Sequence, residues 1–375
     1  MRNVMKDHGD DQHPSLSPVV AQPPTEESNQ LVGRAPAMTD VARLAGISYQ
    51  TVSRVLNGHP GVRATTRAKV LSAAEALGYR LNTTARALAT GHSQILGLVT
   101  LDTTLYGPTR TLYSIERVAR EAGYFVSVVS LRSIEHEAVS EALARLDAQR
   151  VEGVIVIAPL TYAPGALSNL PTNVPIVVVG GDPDAALAVV SVDQVGGARL
   201  ATEHLLESGV ETVFHLSGPA DWMEARERAA GWRDALADAG REQPPVLAGD
   251  WSAQSGYEAG RTLARIPDAH AIFVSNDHMV IGLFRALAER DRKVPEDVQV
   301  VGFDDIPESA YFSPPLTTVH QDFDEVGRRS LGLLLDQLRA GKPRPEHLVV
   351  GSELVVRQST AAHSRSTELT QPGPR

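Results

Sequence analysis

Residues 38–57 read MTDVARLAGISYQTVSRVLN, and their spacing predicts a helix, a tight turn at Gly46 and a second helix. Thr39 stands where an N-cap belongs, and Asp40 adds a carboxylate to the first turn, where the helix dipole favours it. Val41, Ala42, Leu44 and Ala45 form the apolar stripe of the first helix, and Gly46 supplies the left-handed residue that ends it. Ser48 is the expected cap of the second helix, with Val52 and Val55 on its inner face. Tyr49, Gln50, Ser53 and Arg54 fall on the other face. This is the pattern of a helix-turn-helix with a polar outer surface that suits a DNA groove.

Charge supports that reading only when it is resolved along the chain. The 375 residues carry a net −10, which argues against nucleic acid on average. Between Met38 and His92, however, seven Lys/Arg against two acids give +5, which leaves −15 for the rest. A basic module on an acidic body is the asymmetry of a specific DNA binder. Cysteine is absent, so there is no disulfide framework and no thiolate metal site. No apolar run is long enough for a membrane span, and no signal peptide is visible, so the chain reads as cytoplasmic and nucleoid-associated.

Composition divides the chain. Residues 1–37 hold five prolines and no apolar period, so they are expected to form a disordered extension, and because Met38 immediately precedes the first helix much of this arm reads as an extension or a misassigned start. Residues 38–81 form the headpiece, its third helix running from about Thr65 to Leu77. Residues 82–92 form a hinge helix and linker, residues 93–360 the core, and 361–375 a disordered tail. From Ile95 the texture becomes strand, helix, strand: ILGLVTL, FVSVVSL, GVIVIA and PIVVVGG, then VVSVD, ETVFHLSG, AIFVSND and VQVVGFDD, with amphipathic helices between. Such βα repetition predicts an α/β core of parallel sheets in two similar lobes, with ligands beyond the carboxyl ends of the strands.

With these residues in view, the chain resembles the lac repressor/galactose repressor family of bacterial transcription regulators from Met38 to about Ser359. The resemblance rests on TDVARLAGISYQTVSRVLNG, on VRATTRAKVLSAAEALGYRLNTTARAL, and on ARERAAGW, GDWSAQSGY, FVSND and PPLTTVHQDF. It implies an all-α headpiece with a hinge helix, followed by a two-lobed periplasmic-binding-protein-like core crossed several times by the chain. The lobes would span about 95–190 with 322–357, and about 191–320. It implies a dimer on a pseudo-palindromic DNA operator, with a small sugar as effector. The tail has no leucine heptad, so a homodimer rather than a larger assembly is expected.

The resemblance also assigns roles. Tyr49, Gln50, Ser53 and Arg54 would enter the major groove, where Arg pairs with guanine and Gln with adenine. Thr39, Ser48, Thr51 and Asn57 would hold phosphates. In the hinge, Leu88 would wedge into the minor groove beside the small Ala85. In the core, Arg228, Asp304 and Asn276 would take ligand hydroxyls, Trp251 would stack on the sugar ring and Phe323 would close the pocket, with Asp102 and Pro108 lining it from the first lobe. Gly180 stands where one member of the family carries an aspartate, which removes one contact. No cofactor or metal is implied. There is no nucleophile elbow, phosphate loop or metal-ligand spacing, and Asp304 and Asp305 point to opposite faces of a strand, so an enzyme is not expected.

Overall fold

The computed structural model describes residues 36–79, 91–101, 104–132, 135–158, 174–181, 187–342 and 344–360. The expected extension, hinge helix and tail, with Ala85, Leu88 and Asp102, lie outside these residues. The chain divides into two compact units, one ending at Ala89 and the other beginning at Thr90.

The first unit is the three-helix headpiece. Helix α1 spans Met38–Ala45, α2 Tyr49–Leu56 and α3 Ala64–Ala76. The cap of α1 is Ala37 rather than Thr39, because Asp40 reaches back from the third helical position and accepts the Ala37 N–H at 2.9 Å. Thr39 is therefore already inside the helix. Gly46 turns the chain at φ 64°, and Ser48 caps α2 by accepting from Thr51 N–H. Val41, Val52, Val55 and Val70 close a small core with Ala73 and Ala74. Leu44, expected in the apolar stripe, is 55 % exposed instead.

The second unit holds two six-stranded sheets. In the first lobe the order is β11-β5-β4-β3-β1-β2, built from β1 (Ile95–Leu101), β2 (Phe125–Leu131), β3 (Gly153–Ile157), β4 (Ile176–Val179), β5 (Ala188–Val192) and β11 (His347–Val350). All its neighbours are parallel. Strands β1, β3 and β4 are buried almost throughout, as strands covered on both faces must be. Their covering helices are α4 (Tyr106–Glu121), α5 (His136–Ala148) and α10 (Phe323–Ala340).

The second lobe has the order β12-β10-β9-β8-β6-β7. Its strands are β6 (Phe214–Ser217), β7 (Leu247–Ala248), β8 (Ala271–Val274), β9 (Gln299–Asp304), β10 (Thr317–Gln321) and β12 (Ser352–Val355). Helices α6 (Gln194–Leu206), α7 (Met223–Asp238), α8 (Ala253–Leu263) and α9 (Asp277–Ala288) cover it, and a 3-10 turn follows at Pro307–Tyr311. Two expectations change here. Strand β12, placed by sequence in the first lobe, joins the second, and it pairs antiparallel with β10, so this sheet is not wholly parallel. The chain thus crosses between lobes three times, after β5, β10 and β11. Asp193 and Asp322 stand at the first two crossings and cap α6 and α10, accepting from Gly196 N–H and Glu325 N–H at 2.8 Å each. The third crossing is tied to the first, since Asp193 N–H donates to Val350 O and Ser352 Oγ to Asp193 O.

Helices α8 and α9 approach so closely that no side chain fits between them. A Cβ on Gly282 would overlap the backbone of Ala253 and Tyr257, and one on Gly256 would overlap that of Met279. Substituting Gly282→Ala should therefore cost about 1–3 kcal/mol through overpacking, despite the better helix propensity of alanine. Thermal unfolding of the core checks this, and an unchanged or raised midpoint would show that the two helices separate freely.

Candidate functional site

The carboxyl ends of both sheets meet at a cleft that is open to solvent at its mouth. Ile157, Gly180 and Val192 line it from β3, the end of β4 and β5, while Asp304 and Gln321 line it from β9 and β10. This is where parallel α/β sheets leave a crevice.

Arg228 is the central charge, brought in by α7 and only 4 % exposed. Its Nε donates to Gln194 Oε1 at 2.8 Å, its Nη1 to Ser275 O, and its Nη1 lies 3.5 Å from Asp304 Oδ1. Asp304 Oδ1 also accepts from Gln321 Nε2 at 2.7 Å, and Gln321 Oε1 accepts from Gln194 Nε2 at 2.9 Å. The four side chains close a ring. The guanidinium lies 3.8 Å over the Phe303 ring, which adds a cation–π contact beneath it. Burial pushes the Asp304 carboxyl up to about 6, with Arg228 pulling the other way, and burial lowers Arg228 against the attraction of Asp304.

Aromatic rings form the rest of the wall. Trp251 is held at φ 74°, an unusual backbone conformation for tryptophan, by Asn276 Nδ2 donating to Trp251 O at 3.1 Å. Its ring lies 5.6 Å from Trp222 in an edge-to-face contact and covers Gly218, where a Cβ would have no room. Across the cleft, Phe323 meets Tyr106 edge to face at 5.8 Å. Pro108, in the first turn of α4, also lines the space.

Of the seven core residues singled out from sequence, five line this cleft: Pro108, Arg228, Trp251, Asp304 and Phe323. Asp102 lies outside the described residues. Asn276 does not line the cleft, because both ends of its amide are engaged, Oδ1 by Met279 N–H at 2.9 Å as the cap of α9 and Nδ2 by Trp251. It shapes the wall rather than facing the space. Asp305 turns away from Asp304, as expected, to Arg357 Nη2 at 2.7 Å and His320 Nδ1 at 3.1 Å. Sequence reasoning missed Gln194, Gln321, Tyr106, Trp222 and Glu224. Each glutamine adjoins a helix-capping aspartate at a crossing, a signal visible in VDQ and HQDF but uninterpretable without the topology.

Glu224, in the first turn of α7, lines the cleft, and its shielded Oε2 has no hydrogen-bond partner. Burial pushes its carboxyl up to about 7. Asp277, beneath the cleft at the start of α9, is also pushed up to about 7 by burial and by Asp304. It holds the segment after β9 through Thr318 Oγ1, Ser309 Oγ and Ile306 N–H, at 2.6–3.0 Å.

In the headpiece, Tyr49, Gln50 and Arg54 are exposed on α2 and Ser53 is half-buried beside them. Ser48 Oγ and Thr51 Oγ1 are 2.9 Å apart at the helix start, and Asn57 Nδ2 donates to Ser53 Oγ at 3.2 Å. Thr39 is exposed on α1. Among the described residues no group of three or more His, Asp or Glu could hold a metal ion, and no helix is long and apolar enough to cross a membrane.

Headpiece, two-lobed sheets and polar-aromatic cleft together define a periplasmic-binding-protein-like core joined to a helix-turn-helix. Residues 202–360 match the periplasmic binding protein-like domain, and residues 37–82 match the bacterial regulatory proteins of the lacI family. The lactose operon repressor of Escherichia coli strain K12 is 36 % identical over 88 % of this chain and 91 % of its own length. The HTH-type transcriptional regulator CelR of Thermobifida fusca is 35 % identical over 87 % and 98 %. Among solved structures, the lac repressor dimer bound to operator and the anti-inducer ONPF superposes with a TM-score of 0.80 at 34 % identity, covering 88 % of this chain and all of that one. The CelR–cellobiose complex gives 0.64 at 32 % identity, covering 86 % and 99 %. The chain belongs to the lacI family of bacterial regulatory proteins.

The unfolded Glu224 carboxyl titrates near the ordinary glutamate value, below its folded value of about 7, so the folded state holds the proton more tightly. Its contribution to stability is complete at pH 4 and is lost as pH rises through 7. Glu224→Gln, which has nothing to ionise, should match the wild type at pH 4 and be the more stable of the two at pH 8. Denaturant unfolding at both values measures the difference. Parallel pH profiles would place the carboxylate in water.

Proposed function

We propose that this protein is a sequence-specific transcriptional regulator: a repressor of sugar-utilisation genes that binds a pseudo-palindromic operator as a homodimer and is released by a sugar. The observation that carries this reading is the cleft, where a buried arginine–aspartate pair sits among aromatic plates in a chain that also presents an exposed polar recognition helix. A sugar offers hydroxyls and one apolar face, and these two kinds of wall match them. The named ligands of the relatives, ONPF and cellobiose, are consistent with a β-galactoside or a related disaccharide here.

On DNA, Tyr49, Gln50, Ser53 and Arg54 read the major groove, while Thr39, Ser48, Thr51 and Asn57 hold phosphates. Ala85 and Leu88 enter the minor groove from the hinge. In the core, Arg228 and Asp304 take hydroxyls, Trp251 stacks on the ring, and Pro108 and Phe323 enclose it. Asp102 and Asn276, read from sequence as direct contacts, are kept as a first-lobe lining residue and as the support of Trp251. A bound sugar touches both lobes, changes the angle between them and separates the paired hinges. A coupling of about 1–3 kcal/mol would lower operator affinity about 5- to 150-fold. The protein acts in the cytoplasm on the nucleoid and is not an enzyme.

The test is release from an operator selected out of random duplexes by the protein itself. Anisotropy of the labelled complex at fixed salt should fall when the right sugar is added among lactose, cellobiose and galactose. A complex that tightens instead would reverse the sign of control, and one indifferent to every sugar would sink the effector reading. Arg54→Ala should lose about 1–3 kcal/mol of discrimination between operator and scrambled duplex while keeping salt-sensitive binding to both. Undiminished discrimination would remove Arg54 from base reading.

A further inference from the structure

The cleft carries more acid than its ring requires. Among the described residues that line it, Arg228 is the sole Lys or Arg, and it is already paired with Asp304, yet Glu224 and Glu227 line the same space. Glu224 belongs to the second lobe, but its Oε1 lies 3.4 Å from where a side chain on Gly180 would begin, so it spans the seam to the end of β4 in the first lobe. Gly180 has φ +74°, and a Cβ there would also sit 3.3 Å from Ala158 O. The first lobe therefore presents bare backbone at this point, and the carboxyl comes from the other side. Glu224 Oε2 is shielded and unpartnered, as is the indole Nε1 of Trp251 in the same wall. A shielded polar atom without a partner is costly, and a hydroxyl-bearing molecule seated in the cleft would relieve that cost.

We propose that Glu224 is the specificity-determining acceptor of the cleft: its carboxylate takes hydroxyl hydrogens of an uncharged carbohydrate at the seam between the lobes and turns away a carbohydrate that bears a phosphate or a carboxylate. This rests on the reading of the cleft as a carbohydrate site. An anionic ligand would meet Glu224, Glu227 and Asp304 with one arginine already engaged, an environment that penalises a further negative charge. The effector is therefore the intact sugar, and any reaction that phosphorylates or oxidises it would extinguish the signal. The charged and titratable groups that face Glu224 are Glu227 and Arg228 on its own helix and Asp304 from β9. Asp193 faces Glu227 from the start of α6, and Tyr106 faces Asp304 from α4. Ligand hydroxyls favour the ionised carboxylate, whose proton burial holds up to about 7, so binding releases a proton and affinity rises from pH 6 to pH 8. Asp304 contributes in the same direction over a lower range.

The full chain is titrated by calorimetry with lactose, cellobiose and galactose, and with galacturonate and galactose 6-phosphate, at pH 6 and pH 8. The wild type should bind an uncharged sugar more tightly at pH 8 and bind the anions at least about tenfold more weakly. Glu224→Gln should weaken the uncharged sugar roughly tenfold at pH 8, flatten the pH slope and narrow the gap to the anions. Wild-type preference for an anion, or an affinity and pH slope unmoved in Glu224→Gln, would overturn the assignment while leaving a sugar site in place. The pH slope and the neutral-to-anion ratio need no variant, so a misfolded Glu224→Gln does not shelter the proposal. Binding of no carbohydrate at all by the wild type would remove the sugar reading itself and this assignment with it.

Discussion

A guanidinium that is almost out of water must be compensated, and the core is arranged around that necessity at Arg228. Five N–H donors in a fixed planar fork cannot be neutralised by losing a proton, so their partners have to be built. The partners come from four places: Gln194 at the start of α6, the backbone of Ser275 after β8, Asp304 at the end of β9 and, through Asp304, Gln321 at the end of β10. Removing any one leaves a buried polar group unpaired, which costs more than the bond itself was worth. The pair is thus poor evidence of extra stability, but it fixes where four segments end.

Those ends make the cleft. Parallel strands deliver their last residues to one edge of each sheet, and the helices that follow start there with their N-termini turned inward. Helix starts at Gln194, Met223, Asp277 and Phe323 all gather near this edge. Their first-turn residues supply the wall, and their capping residues, Asp193, Asn276 and Asp322, satisfy the exposed backbone donors. Asn276 shows how the two tasks interlock, since the same amide caps α9 and holds Trp251 in its unusual conformation.

Much of this was legible in the chain. The alternation of apolar strands with amphipathic helices fixes the α/β class, because a period of two gives way to one near 3.6 at each boundary. The headpiece was legible to within a residue, save that Ala37, held by Asp40, rather than Thr39 caps the start of the first helix and that Leu44 faces water. The lobe assignment of 352–355 was not, because a four-residue strand with half-buried pattern carries no mark of which sheet it edges. Arg228, Trp251, Asp304 and Phe323 were visible through their motifs. Gln194 and Gln321 were not, because an amide becomes informative only when its partner 127 positions away is known to be adjacent. Glu224 was hidden by a more ordinary explanation, since an acid in the first turn of a helix needs no further reason.

The two glutamines of the ring occupy the crossings between lobes, whereas Glu224 and Gly180 face each other across the seam. On the proposed mechanism, a rotation of one lobe against the other passes through these crossings. The seam is free of that duty: a carboxyl can be lost from one rim, or gained on the other, without touching the axle. On the proposed reading, effector choice is therefore separable from response: redecorating one rim would change the ligand while the crossings keep their form.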